Sequence, residues 1–122
     1  MRILLSNDDG FRALGIKSLK EYLDNYANIT VVAPTKNVSA CSSSLSVTKN
    51  IRVKKYDAEC YSVNGTAADS VHIATRGLLK NKIHQVVSGI NFGSNMGDDV
   101  VYSGTVAAAI EGRFCQYSPI AI

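Results

Sequence analysis

Residues 1–10 read MRILLSNDDG, a short run of apolar residues that ends in a polar turn. The apolar run at 3–5 is uninterrupted, which is typical of a strand that is buried on both faces of a sheet. The turn-prone residues 7–10 close this strand. A helix is predicted next, because four apolar residues recur there with helical spacing. They are Ile16, Leu19, Leu23 and Tyr26.

The alternation of apolar runs with helical patterns continues along the chain. Residues 29–33 form a β-branched strand that is stopped by Pro34. Further strands are predicted at 51–54, 60–63, 85–90 and 120–122, and further helices at 66–78 and 103–115. Elements that alternate in this way form a mostly parallel sheet with helices on both faces, the α/β class. With 122 residues, the chain is predicted to form a single domain, 1–122.

The composition excludes several classes of protein. The chain is 46% hydrophobic and 19% charged, too apolar for disorder and too mixed for a membrane span. Its net charge of +3 is mild and its basic residues are scattered, so no nucleic-acid polymer is expected as a partner. The apolar start of the chain stops at Ser6, short of the about 7–15 apolar residues of a secretory signal. The odd number of cysteines (Cys41, Cys60 and Cys115) argues against a disulfide framework. A cytoplasmic protein without a membrane partner is therefore expected.

Three polar loops follow three of the predicted strands. Residues 7–10 follow the first strand, residues 35–39 follow the second, and residues 91–105 follow the strand at 85–90. In sheets of this class, ligands bind beyond the carboxyl ends of the strands. The three loops are therefore expected to converge on one site at that edge.

The adjacent carboxylates of Asp8 and Asp9 are the first candidates for chemistry. Two neighbouring carboxylates repel each other unless a cation neutralises them, and oxygen ligands from Asp, Asn and Ser suit a hard divalent ion. The alternative is a solvated turn in which one Asp caps the next helix. The neighbouring polar loops favour the metal interpretation.

Ser103-Gly104-Thr105 opens a predicted helix and is the second candidate. Backbone N–H groups and hydroxyls at a helix N-terminus favour phosphate, because the helix dipole and the unpaired donors both point at the anion. Ordinary N-capping by Ser103 is an equally good interpretation at this point. Gly93 and Gly97 match neither G-x-G-x-x-G nor G-x-x-x-x-G-K-[ST], so the usual dinucleotide and P-loop sites lose support.

The remaining polar residues are weaker candidates. His72 within a helix and His84 before a strand are predicted to be structural, and Asp98-Asp99 is predicted to lie in a solvated loop. Thr66 and Asp69 have the spacing of a capping box. A phosphoacceptor receiver domain has a similar length, but it needs an Asp at the end of its central strand. Asp57 instead lies in a polar stretch, so that interpretation fails.

The polar loops carry motifs of a known family. SNDDG at 6–10, VVAP at 31–34 with Ser39 following, and GT at 65–66 with Asp69 occur in order. SGIN at 88–91 and GSNMGDDVVYSGTVAAAIEG at 93–112 form a long third block. Together these motifs resemble the survival protein SurE family.

The resemblance implies a Rossmann-like core and a metal-dependent phosphatase of nucleoside 5′- and 3′-monophosphates, some members of which also cleave short polyphosphate. It implies one divalent ion per subunit, Mn²⁺ or Mg²⁺. The implied metal ligands are Asp8, Asp9, Ser39 and Asn91. Asn95 would lie beside the metal and phosphate, and Ser103, Gly104 and Thr105 would hold phosphate oxygens. Water that is activated by the metal would attack phosphorus, with Asp9 or Asp8 as its base.

The sequence departs from the family in detail and in length. Thr35 and Lys36 replace the usual Asp and basic residue, 12–15 read RALG instead of HAPG, and Ala40 and Ala67 replace a Gly and a Pro. The motifs cover the N-terminal half of the family's length, so a shortened chain is expected, whereas the full-length family implies a homo-oligomer, a dimer or tetramer. The alternative function is a catalytically poor chain that binds metal and phosphate or serves in assembly.

Overall fold

The computed structural model of the chain describes residues 1–39, 44–46 and 50–122. Within these residues six strands form one sheet: β1 (Arg2–Ser6), β2 (Asn28–Pro34), β3 (Val53–Lys55), β4 (Cys60–Val63), β5 (Gln85–Ser88) and β6 (Ile120–Ala121). The α-helices of the same residues are α1 (Leu14–Leu23), α2 (Ala67–Ile73), α3 (Asp99–Tyr102) and α4 (Gly104–Glu111). A π-helical turn, Ala74–Leu78, extends α2, and a 3-10 turn, Gly112–Phe114, follows α4.

The strand order in the sheet is β3-β4-β2-β1-β5-β6. Every pairing is parallel except that of β3, which runs antiparallel to β4 at one edge. The chain winds outward from β1 to β2 and β4, then crosses back to place β5 on the other side of β1. The direction of winding therefore reverses between β1 and β5, and a crevice opens at such a point. The predicted mostly parallel α/β fold is confirmed.

The helices cover both faces of the sheet, and each face has its own apolar core. On one face, Ile16 and Leu19 of α1 pack against Ile3, Leu5 and Val31. On the other face, residues of α2 and α4 pack with alternate residues of the same strands. They are Val71 and Ala108 from the helices, with Leu4, Val32 and Val86 from the strands. Burial on both faces explains why the strands are apolar without interruption.

The C-terminal boundaries of α1, β5 and α4 differ from the predictions. α1 ends at Leu23 rather than at Tyr26, whose side chain is exposed. β5 ends at Ser88 rather than at 90, because Gly89 takes a φ of +138°, which a strand does not use. α4 ends at Glu111 rather than at 115. The predictions missed α3, since four residues are too few to show a helical period.

Two further observations concern membrane-spanning helices and the cysteines. Among the described residues no helix combines the length and the apolar character that crossing a bilayer would need. Cys60 and Cys115 are free thiols, while Cys41 lies outside the described residues.

Candidate active site

The turn after β1 is held by the buried side chain of Asn7. The amide of Asn7 accepts a hydrogen bond from the Gly10 N–H at 3.1 Å and donates to the Gly10 carbonyl at 3.0 Å. Gly10 has a φ of +106°, and a Cβ there would lie 3.1 Å from the backbone carbon of Lys36. The turn is therefore held by hydrogen bonds between its own residues and packs against the loop after β2. These contacts set the direction in which Asp8 and Asp9 leave the sheet.

Asp8 is 4% exposed and lies against the first turn of α4. Its Oδ1 accepts a 2.5 Å hydrogen bond from the hydroxyl of Thr105. A Cβ at Gly104 would lie 2.7 Å from the Cβ of Asp8 and 2.8 Å from its Oδ2, so only glycine fits between them. The N-terminal end of a helix carries a partial positive charge, which stabilises a carboxylate held there.

Asp9 joins the loops that follow β2 and β5. Its Oδ1 accepts hydrogen bonds from the Asn37 side chain at 3.3 Å and from the Ser39 hydroxyl at 3.4 Å. Its Oδ2 accepts from the backbone N–H of Phe92 at 3.0 Å. A single carboxylate therefore holds together two loops that are separated by more than fifty residues in sequence.

Asn91 connects the loop after β5 to the start of α4. The Thr105 hydroxyl, which bonds Asp8, also lies 3.1 Å from Asn91 Oδ1. One hydroxyl hydrogen cannot serve both acceptors fully, and the shorter distance goes to the charged oxygen. The Asn91 amide in turn donates to the carbonyl of Gly93 at 2.9 Å. Thr105 is thus the link between a residue of the first loop and a residue of the third.

The eight predicted site residues meet at one edge of the sheet. A polar cleft of about 300 Å³, here called the phosphate cleft, is lined by six of them: Asp8, Ser39, Asn91, Asn95, Ser103 and Gly104. The other two touch its lining, because Asp9 bonds Ser39 and Thr105 bonds Asp8. The expected convergence of the three loops is confirmed, whereas the role of each residue stays a prediction.

Ser103 and Thr66 act as helix caps. The hydroxyl of Ser103 accepts from the N–H of Val106 at 3.3 Å, so the N-cap interpretation holds, and the phosphate interpretation remains open beside it. Thr66 and Asp69 form the predicted capping box. Asp69 also accepts a hydrogen bond from the N–H of Ser46, and Thr66 donates to the carbonyl of Ser44. The cap therefore anchors residues 44–46, which the sequence did not indicate.

The two histidines have structural contacts, as predicted. His72 Nδ1 lies 2.7 Å from a carboxylate oxygen of Glu111, which joins α2 to α4. His84 Nδ1 accepts from the N–H of Arg2 at 3.0 Å, at the amino end of β1 and away from the site.

Five residues that line the phosphate cleft are not among the predicted site residues: Phe92, Gly93, Ser94, Asp99 and Tyr102. Asp99 was predicted to lie in a loop, but it is the first residue of α3 and lines the cleft together with Tyr102 and Phe92. The i, i+3 spacing of Asp99 and Tyr102 was the available signal, since it places two side chains on one side of a helical turn.

The oxygen atoms of the predicted metal ligands are chemically suited to a hard cation. In the described part of the chain, no three side chains among His, Cys, Asp and Glu cluster as a metal site. The predicted ligands offer instead two carboxylates, one hydroxyl and one amide oxygen. Oxygen-only sets of this kind are those used for Mg²⁺ and Mn²⁺, which complete their coordination with water and substrate.

Comparison with known proteins decides the family. A family model described as "Survival protein SurE" matches residues 3–122. The chain belongs to the SurE family. The match confirms the resemblance that the sequence motifs indicated.

Individual SurE relatives agree with the family match. A protein named 5′-nucleotidase SurE from Histophilus somni is 57% identical over 122 residues, which are 100% of this chain and 50% of that protein. A protein of the same name from Actinobacillus succinogenes is 52% identical with the same coverage. The crystal structure of a SurE protein from Aquifex aeolicus is 43% identical, with a TM-score of 0.93 over 99% of this chain and 50% of that one. The chain thus spans about half the length of the SurE proteins it matches.

Proposed function

We propose that this chain carries the site of a divalent-metal-dependent phosphomonoesterase that hydrolyses nucleoside 5′-monophosphates, and also 3′-monophosphates. The observation that supports the proposal best is the Thr105 hydroxyl, which joins Asp8 to Asn91 at the N-terminus of α4. Carboxylate and amide oxygens suited to a cation thereby lie beside helix N–H groups suited to an anion. The family and the names of the relatives support the substrate class.

Asp8, Asp9, Ser39 and Asn91 would hold one Mn²⁺ or Mg²⁺ ion per subunit. When bound, such an ion withdraws electron density from the phosphoryl group and acidifies water. The buried Asp8 contributes its charge at a fixed position, since Thr105 and Gly104 hold its carboxylate from two sides. Asp9 contributes a carboxylate that three donors orient.

The turn 103–105 would bind the phosphate oxygens. The first N–H groups of a helix have no partner within the helix, and those of Gly104 and Thr105 occupy these positions at the start of α4. Phosphoryl transfer depends mainly on positioning and on neutralisation of charge, and these donors supply both. Asn95 lines the same cleft and offers its amide to a phosphate oxygen. Either Asp8 or Asp9 accepts the proton of the attacking water.

A second candidate function is binding of metal and phosphate without efficient turnover, or a role in assembly. It differs from the first in turnover and not in ligand binding, since the same residues would hold metal and phosphate. A homo-oligomer, which the SurE family supports, and a cytoplasmic location are further proposals.

The test is phosphate release from AMP and GMP by the 122-residue chain with Mn²⁺, Mg²⁺ or EDTA. We expect release that requires metal and that Asp8→Asn lowers by about 10²–10⁴-fold, the usual effect of losing a catalytic acid or base. Asn has the shape of Asp, so the melting temperature should change little. The matched control is Asp24→Asn, which removes an exposed carboxylate that pairs with Lys20 on α1.

Two outcomes would contradict the proposal. Unchanged activity in Asp8→Asn would refute the metal assignment. No release by a folded chain that still binds phosphate and Mn²⁺ would favour the second candidate function.

A further inference from the structure

We infer that a second, more apolar cleft beside the phosphate cleft binds the nucleoside part of the substrate, with the ring of Phe92 stacked on the base. This inference rests on the proposed function, because it needs a nucleotide whose phosphate lies at the turn 103–105. The second cleft, here called the nucleoside cleft, has a volume of about 510 Å³. Its lining includes Leu14, Gly15, Ser18, Asn37, Ile90 and Phe92.

The two clefts adjoin each other at shared residues. Asn91 and Phe92 line both of them, and Asp9 lines the nucleoside cleft while it bonds Ser39 of the phosphate cleft. A ligand with its phosphate at the start of α4 can therefore extend past Asn91 into the second cleft. The volume lies within the range of about 300–1,000 Å³ that is typical of small-molecule sites.

Exposed apolar side chains surround the nucleoside cleft. Phe92 is 95% exposed, Leu14 is 81% exposed and Ile90 is 40% exposed. Single exposed apolar residues are common, but a group of them around one concavity is typical of a binding site. Phe92 is the most exposed of them, and its ring has no described side chain stacked on it. Its aromatic face is available to a ligand.

The position of Phe92 is set by the site itself. Its N–H donates to Asp9 Oδ2 at 3.0 Å, and the preceding Asn91 side chain holds the carbonyl of Gly93. Gly15 lets α1 approach the loop after β5 closely, because a Cβ at residue 15 would collide with the carbonyl oxygen of Ile90. The same carboxylate that is proposed to bind metal thus holds the backbone that presents the aromatic ring.

The chemistry of the nucleoside cleft suits a base and a ribose. An aromatic ring stacks on any nucleobase, since every base has a π-face. Leu14 and Ile90 offer further apolar contact, while the hydroxyl of Ser18 and the amide of Asn37 supply polar groups for a ribose or a base edge.

The experiment compares ligands that contain the base, the phosphate or both. ¹⁵N-labelled chain is titrated in EDTA, where no turnover is expected, with adenosine, inorganic phosphate, AMP and ribose 5-phosphate. Adenosine should shift the amide signals of Leu14, Gly15 and Phe92. In Phe92→Ala the affinity for AMP should fall about fivefold to tenfold, the lower part of the range for base stacking, while that for ribose 5-phosphate stays unchanged. Phe114→Ala is the control, because Phe114 is 70% exposed and packs on Arg113 instead.

The outcomes separate this inference from the proposed function. Equal affinity of wild type and Phe92→Ala for AMP, or adenosine shifts confined to another surface, would overturn the nucleoside cleft. Failure of phosphate to shift the amides of 103–106 even after Mg²⁺ replaces EDTA, with adenosine shifts at Phe92 intact, would count against the phosphate site and leave base binding standing.

Discussion

Replacing Gly104 by alanine should destabilise the fold, although the same change usually stabilises a helix. The added Cβ would lie 2.7, 2.8 and 3.0 Å from the Cβ, Oδ2 and Cγ atoms of Asp8. Asp8 is 4% exposed and cannot move away without shifting the end of β1. Overpacking of this kind costs about 1–3 kcal/mol. The higher helix propensity of alanine offsets up to about 1 kcal/mol of this cost. The net loss therefore centres on about 1–2 kcal/mol, within a range of about 0–3 kcal/mol.

Thermal unfolding of the 122-residue chain measures this loss. For a domain of this length, a change of 1 kcal/mol shifts the melting temperature by about 4 °C, so Gly104→Ala should lower it by about 4–8 °C. Gly77→Ala is the matched control, since no atom lies within 4 Å of a Cβ built there. That substitution should raise the melting temperature by about 2–4 °C, because it restricts the unfolded chain. Because Asp8 is a proposed metal ligand, its displacement should also weaken Mn²⁺ binding in Gly104→Ala and not in Gly77→Ala.

The test depends on whether each variant raises or lowers the melting temperature. If Gly104→Ala melts at or above the wild-type temperature, as Gly77→Ala should, then Asp8 does not pack on the first turn of α4. The account of the site as a carboxylate held against a helix N-terminus would then be wrong.

Two further predictions concern the capping box and a partly buried thiol. Thr66→Ala removes the acceptor of the Asp69 N–H and the hydrogen bond to Ser44. It should lower the free energy of unfolding in urea by about 0.5–2 kcal/mol. An unchanged midpoint of unfolding would contradict the cap. Burial, with a smaller effect of Asp57, raises the pKa of the Cys60 thiol, which lowers its thiolate fraction at pH 8. Cys60 should therefore be alkylated by iodoacetamide more slowly than an unstructured cysteine peptide, as peptide mass spectrometry at several pH values can show; equal rates would refute this.

Local sequence patterns were enough to locate most elements of the fold. Uninterrupted apolar residues such as Leu4 and Leu5 predicted strands buried on both faces, and the structure buries them on opposite sides of the sheet. Thr66 and Asp69 predicted a cap because a capping box needs only neighbouring residues. The patterns failed where an element was too short for a period, as in α3, or where a glycine ended a strand early, as at Gly89.

The sequence predicted the residue types of the candidate site and the edge of the sheet at which it lies. Polar residues after apolar strands must gather at one edge of a parallel sheet, so Asp8, Asn91 and Thr105 could be expected near one another. Their actual contacts could not be predicted. Asp99 was not predicted as a site residue, because its i, i+3 spacing with Tyr102 is only one helical turn and was not recognised, and Phe92 was placed in the converging loop without a role.

The sequence by itself therefore determined the class of fold, the carboxylate pair, the helix start at Ser103 and, through its motifs, the family. Only the tertiary structure decided that β5 lies beside β1 and that the winding reverses between them. That pairing brings the Thr105 hydroxyl to Asp8 across 97 residues and leaves room at Gly104 for the carboxylate alone. The physical reason is that strand order depends on long-range packing of two apolar faces at once, whereas periodicity and capping depend on neighbours within one or two turns.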